Sequence, residues 1–313
     1  MKTSRVLIIS SLILLASSLF FMLFNSNGNW DFILPFRGKK LLLLLTLAYT
    51  IGVSTLLFQT LTNNPILTPS ILGFDSLYLL LQTILVFLLG GLGFTQLPIA
   101  NKFAFETLLM LGAALLLFRT LTKDNADIAR MLLIGVVFGV FFRSVNNLLQ
   151  RMIDPEEFAV AQSSSFASFN NANPTLLTIG IIIALLSSIW IWTQRHKLDV
   201  LMLGKHKAIG LGINYNRFSH QLLICCALLV SVSTALVGPI LFLGLLVCAI
   251  VNAISPTMQH AIRIPLTFII SAITLVLGQA VFEQLFKLQG VLSVVIEFLG
   301  GIVFIYLMIK KQK

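Results

Sequence analysis

The chain has 313 residues, 58% of them hydrophobic and only 10% charged, with a formal net charge of +10. A soluble globular domain carries about 25% charged residues, and no water-soluble fold of this length can hide so much apolar surface. A soluble domain is therefore excluded, and the positive charge points to basic loops against anionic lipid headgroups rather than to nucleic acid.

In lipid the backbone must satisfy its own hydrogen bonds, which leaves helices or a closed barrel. Unbroken apolar runs such as Ile179 to Trp192 and Val291 to Ile309 are not the ten-residue alternation of barrel strands. The expected fold is all-α: a polytopic integral membrane protein of about ten transmembrane helices, one domain over 1–313. Lys2 and Arg5 precede the first apolar stretch, Val6 to Phe24. It resembles a signal peptide, but it is one bilayer long, and Phe20, Phe21 and Phe24 stand where a cleavage site would need small residues. An uncleaved first span is expected. The remaining spans fall near 40–61, 71–91, 98–120, 131–150, 175–194, 220–238, 240–257, 264–286 and 291–309. The stretch 240–257 is short, as expected of a span surrounded by other helices.

Two connections are long. The segment 151–174 is too polar to span, and its Ser- and Asn-rich half is expected to form a short helix dipping towards the bundle. The segment 195–220 has helical apolar spacing at Leu198, Leu201 and Met202 and again at Ala208 and Leu211, with glycines at 204, 210 and 212. It predicts two short helices broken at glycine along the membrane face. Placing the N-terminus inside puts fourteen of the 21 Lys and Arg residues on the inner side. The positive-inside rule then predicts an even number of spans, both termini cytoplasmic, and 195–220 as the longest basic inner loop.

Cys225, Cys226 and Cys248 lie in apolar runs without metal or disulfide spacing. The four histidines lack metal-ligand spacing, so no metal site is expected. Arg143 and Glu297, ionisable within or near spans, are candidates for a pathway or an interhelical pair. Gln59 is a polar side chain inside the second span that needs a partner or a water-lined path. Asn64-Pro65 then stops the helix, Pro69 suits a following first turn, and Gly73 permits close helix approach.

The pattern Gln59, Asn64-Pro65, Pro69 and Leu72-Gly73 resembles the signature of the FecCD family, the iron-chelate and cobalamin importer permeases. Leu203-Gly204, Ala208 and Leu211-Gly212 are similar to that family's inner loop. Gly238-Pro239-Ile240, Phe242 and Gly244-Leu245 match a further run, and Gly300, Phe304 and Tyr306-Leu307 match its closing segment. The resemblance implies a type II ABC importer permease bundle in the bacterial inner membrane. It also implies a second permease subunit, two cytoplasmic ATPases that consume ATP with Mg, and a periplasmic siderophore-binding protein. Leu203, Gly204, Ala208, Leu211 and Gly212 would then form the ATPase-coupling loop. Arg37, Lys39, Lys40 and Lys287 would meet acidic residues of the binding protein; ordinary interfacial anchoring is the alternative. Gln59, Asn64, Ser163, Ser165 and Asn170 are the candidates for lining the path of a large chelate. The chain has no Gly-x-x-x-x-Gly-Lys-Ser/Thr loop, so no nucleotide cofactor is expected on it and ATP hydrolysis must reside on another chain.

The sequence departs from the family pattern at Cys248 and Ala249, where Pro-His is usual, and at Asn252, where Arg is usual. Gln289, Val291 and Ser293 replace Glu, Pro and Gly, and Lys205 replaces Glu. These departures predict a heterodimer with a permease that keeps the full pattern, and the divergent type resembles the second permease of catecholate siderophore systems. An ion-driven secondary transporter would need more buried carboxylates than Glu297. A membrane enzyme would need a convergent set of catalytic groups. Heme or cobalamin remains an alternative cargo.

Overall fold

The computed structural model describes residues 3–24, 30–122, 128–164, 166–169, 173–287 and 292–311. Among them the chain is helical throughout: α1 (Thr3–Leu23), α2 (Trp30–Thr62), α3 (Phe74–Gln96), α4 (Ile99–Thr122), α5 (Ile128–Met152), α6 (Pro155–Ser164), α7 (Pro174–Leu201), α8 (Lys205–Gly210), α9 (Tyr215–Val237), α10 (Leu243–Ile254), α11 (His260–Ala280) and α12 (Leu292–Lys311). A 3₁₀ turn, Pro69–Leu72, precedes α3, and a π turn, Val281–Leu285, extends α11. Every expected span coincides with a helix. Eight are long and apolar enough to cross a membrane; α10 and the described apolar part of α12 are shorter.

α2 is the hub, packing against α11, α9, α10 and α7. Small residues set how closely it is approached, as expected where no hydrophobic effect drives helices together in lipid. A Cβ on Gly52 would lie 3.1 Å from Ser271, and one on Gly244 would collide with Thr55. α10 is short because Gly238, at φ +100, ends α9 and the helix resumes only at Leu243. Its Leu243, Leu245, Val247, Cys248 and Val251 are buried against α2, α11 and α12, as its short apolar run suggested. The three cysteines are buried and free.

Three expectations are corrected. α2 begins ten residues earlier than its apolar run, at Trp30, and passes through Pro35, so Arg37, Lys39 and Lys40 sit inside a helix rather than in the loop before it. The short helix of 151–174 occupies the acidic half, Pro155–Ser164, not the Ser- and Asn-rich half. Proline near its first position and Glu156 and Glu157 in its first turn suit a helix N-terminus. The Glu157 carboxylate then accepts the Gly91 N–H at 3.2 Å, beside the break that Gly90 makes in α3 at φ 72. Finally, α7 continues unbroken to Leu201, so Leu198 and Leu201 belong to a long span and only α8 is a separate short helix.

Gly73 caps the 3₁₀ turn at φ +87, where a Cβ would lie 2.7 Å from the Gly139 Cα on α5. Gly73→Ala should cost at least about 1–2 kcal/mol from left-handed strain, lowering the unfolding midpoint in detergent by roughly 2–4 °C per kcal/mol. Gly112→Ala, inside α4 where a Cβ meets nothing within 4 Å, should not lower the midpoint and should raise it slightly, since alanine is the better helix former.

Candidate functional site: a basic coupling surface and the cavity beside it

α8 stands at the end of the bundle where α7 stops and α9 starts, here termed the basic end. Gly204 at φ +93 and Gly212 at φ +84 bracket it, conformations that glycine adopts without a Cβ penalty. Ala208 is wholly buried beside Leu198, Leu201, Tyr215 and Phe218. Its small side chain lets α8 lie flat, and it presents nothing outward. Leu203, Ile209 and Leu211 are exposed among Lys205, His206 and Lys207. The Lys205 ammonium lies 5.7 Å from the Tyr215 ring centre. The result is an apolar and cationic ridge tied to the bundle through α7 and α9.

One hydrogen-bonded chain joins the stem of this ridge to two other helices. Asp199 Oδ1, in the last turn of α7, accepts from the His260 backbone N–H and from its Nδ1, both at 2.7 Å. His260 Nε2 lies 2.8 Å from Thr60 Oγ1 in the last turn of α2. His260 is fully buried. The imidazole therefore links α2, α7 and α11 immediately before α8. Spacing along the chain could not pair His260, because its partners lie 61 and 200 residues away.

Beside this chain is a cavity of about 330 Å³ lined by Gln59, Thr60, Asn63, Asn64, Pro65, Met202, Asn252, Met258 and Arg263. It holds two of the expected path residues. Gln59 Nε2 donates to the Pro65 carbonyl at 2.7 Å, so this amide fastens the end of α2 to the following turn, while its Oε1 is buried without a partner. Asn64 Oδ1 accepts from the Ile66 N–H at 3.2 Å. Arg263 donates to Asn252 Oδ1, so a guanidinium from α11 reaches the position where arginine was expected.

At the opposite end the structure separates the four expected docking cations. Lys40 is buried and pairs with Glu283 at 2.5 Å, which corrects its reading as an outward charge: inside lipid an ammonium needs its counter-ion. Arg37 Nη1 donates to the carbonyls of Phe21, Met22 and Phe24 at 3.1, 3.0 and 2.7 Å, closing the end of α1. Lys39 and Lys287 are exposed. Ser163 is exposed on α6, where its hydroxyl donates to the Val160 carbonyl at 2.9 Å. It lines a second cavity of about 320 Å³ that contains Tyr78, Lys102, Glu106 and Asn173. Buried Gln82 donates to Glu106 at 2.8 Å. Ser165 and Asn170 lie outside the described residues. Arg143 is exposed midway along α5, Asp75 is buried in the first turn of α3, and Glu297 is half-buried on α12. Among the described residues no three His, Cys, Asp or Glu side chains converge as metal ligands would.

A bundle of membrane helices carrying one short basic helix at its edge is the architecture of a transport permease. The FecCD transport family model matches residues 5–310. The chain is 47% identical over 295 residues to the petrobactin import system permease protein YclO of Bacillus subtilis, covering 93% of each chain. It is 34% identical to FatC, a petrobactin import system permease protein of Bacillus anthracis, covering 83% of this chain and 74% of that one. Its fold superposes with a TM-score of 0.85, at 20% identity and over 99% of this chain and 100% of the other, on an inward-facing structure described as a metal-chelate type ABC transporter. The chain belongs to the FecCD transport family, and its fold is that of a type II ABC importer permease.

Asp199→Asn and His260→Ala should each destabilise the purified protein by about 1–3 kcal/mol, with the double variant losing less than the sum by about 0.5–3 kcal/mol, the coupling of groups in one network. Denaturant unfolding of the four proteins in detergent checks this.

Proposed function

We propose that the chain is one of two permease subunits of an ATP-driven importer that carries ferric-siderophore complexes across the bacterial cytoplasmic membrane by alternating access. The observation that carries the reading is α8, an exposed basic helix with apolar Leu203, Ile209 and Leu211 on display and a stem hydrogen-bonded into three spans. Such a helix fits a groove on a partner. With no phosphate loop of its own, the chain needs a partner that hydrolyses ATP with Mg, and two ATPase subunits gripping α8 and its counterpart would supply the force. Movement of α8 would reach α2 and α11 through Asp199, His260 and Thr60. Both termini and the basic end then face the cytoplasm.

The petrobactin names of the two Bacillus relatives support an iron-chelate cargo. At the opposite end Lys39 and Lys287 are the exposed cations that a siderophore-binding protein would meet, and such charges mainly steer encounter. Arg143 supports a second FecCD-like permease. A guanidinium exposed midway along a span is costly against hydrocarbon, so α5 is expected to face a water-filled path or a partner. The departures at Lys205, Cys248, Ala249 and Asn252 favour a heterodimer.

Deleting the gene should abolish uptake of radiolabelled iron from one siderophore class, petrobactin being the first to try, while leaving cobalamin and heme uptake intact. Unchanged uptake from every ferric siderophore would overturn the substrate assignment.

A further inference from the structure

Arg263 is buried, with 5% of its surface exposed, yet no carboxylate lies within ion-pair distance of it among the described residues. Its hydrogen bonds go to neutral atoms. Nη2 donates to Asn252 Oδ1, Nη1 to the Met202 sulfur at 3.7 Å, and Nε has no partner. Asp199, on the adjoining end of α7, is turned to His260 instead. A buried ion left without a counter-ion is costly. The guanidinium lies on the wall of the 330 Å³ cavity, whose other eight lining residues are all neutral. The site is therefore a cationic socket that lacks its anion.

Its position identifies the anion. Met202, which lines the socket, is three residues before α8. Asn63, on the same cavity wall as Met202, is exposed, so the cavity has a solvent-facing wall on the side that leads into α8. The ridge carries Lys205, His206 and Lys207 and no acid, so the complementary surface is acidic.

We infer that the Arg263 cavity is a second docking point for the ATPase subunit, receiving one Asp or Glu side chain beside the coupling helix. The guanidinium fork suits a carboxylate with two parallel hydrogen bonds. α11 thereby feels the ATPase directly, one turn beyond the His260 link. The inference rests on the importer reading, which supplies the ATPase.

The test uses the full permease assembled with its ATPase in detergent or nanodiscs. Arg263→Met should weaken ATPase binding at least tenfold and flatten its dependence on salt, whereas Arg263→Lys, which keeps the charge but loses the fork, should fall between Met and wild type and keep the salt dependence. If Arg263→Met loses thermal stability but binds the ATPase with unchanged affinity and salt dependence, the residue is structural only and the inference fails. A second measurement does not need that variant to fold. With Asn63→Cys, against three native cysteines that are all buried, a small anionic thiol reagent should react faster than a cationic one on the free permease. Bound ATPase should block both. Equal labelling by the two reagents, or no protection, overturns the inference. Wild-type permease that retains no ATPase would overturn the importer reading and this inference with it.

Discussion

A polar group that enters a membrane bundle finds no water there, so it must be matched inside the protein or face a wet cavity. That constraint explains most of the specific contacts. Lys40 meets Glu283, Gln82 meets Glu106, and Gln59 bonds the Pro65 carbonyl. The threonines along α2 at 46, 50, 55 and 62 return their hydroxyl protons to carbonyls one turn back. Arg263 stands out against this background, because it is buried and its hydrogen bonds go only to neutral atoms.

The same constraint concentrates function at one end. α8 itself is six residues long, too short to be stable alone. It holds its shape because Ala208 is sunk into the bundle and glycines turn the chain at both ends. The Asp199, His260 and Thr60 chain ties the ends of three spans together beside the adjoining cavity, so in the proposed importer a push on α8 would reach α2 and α11. Coupling of this kind needs a contiguous network with more than one arrangement, and hydrogen bonds from a single imidazole can be remade as helices shift.

The charges near residues 37–40 illustrate how a one-dimensional reading misleads. Three cations in four positions look like a surface cluster. Placed on α2, they face different sides of a helix: Arg37 turns to the end of α1, Lys40 inward to Glu283, and only Lys39 outward. The helix begins at Trp30, earlier than its apolar run, and Arg37 ties that first part to the end of α1. In the 151–174 connection, proline and glutamates mark where α6 starts, while 166–169 of the Ser- and Asn-rich end are not helical.

The sequence by itself determined the solvent, the helical class, the position of every span and the family, because each follows from composition or from residues close together in the chain. Apolar runs of bilayer length need no tertiary partner to be recognised, and the glycines at 204 and 212 mark turns that local geometry requires. Tertiary structure alone decided which polar residues meet. His260 with Thr60, Lys40 with Glu283 and Arg263 with Asn252 join separate helices. Helix packing, not spacing along the chain, sets those distances. The exposed and buried sides of α8 were likewise settled only when it lay against α7 and α9, which turned Ala208 inward and left Leu203 and Leu211 for a partner.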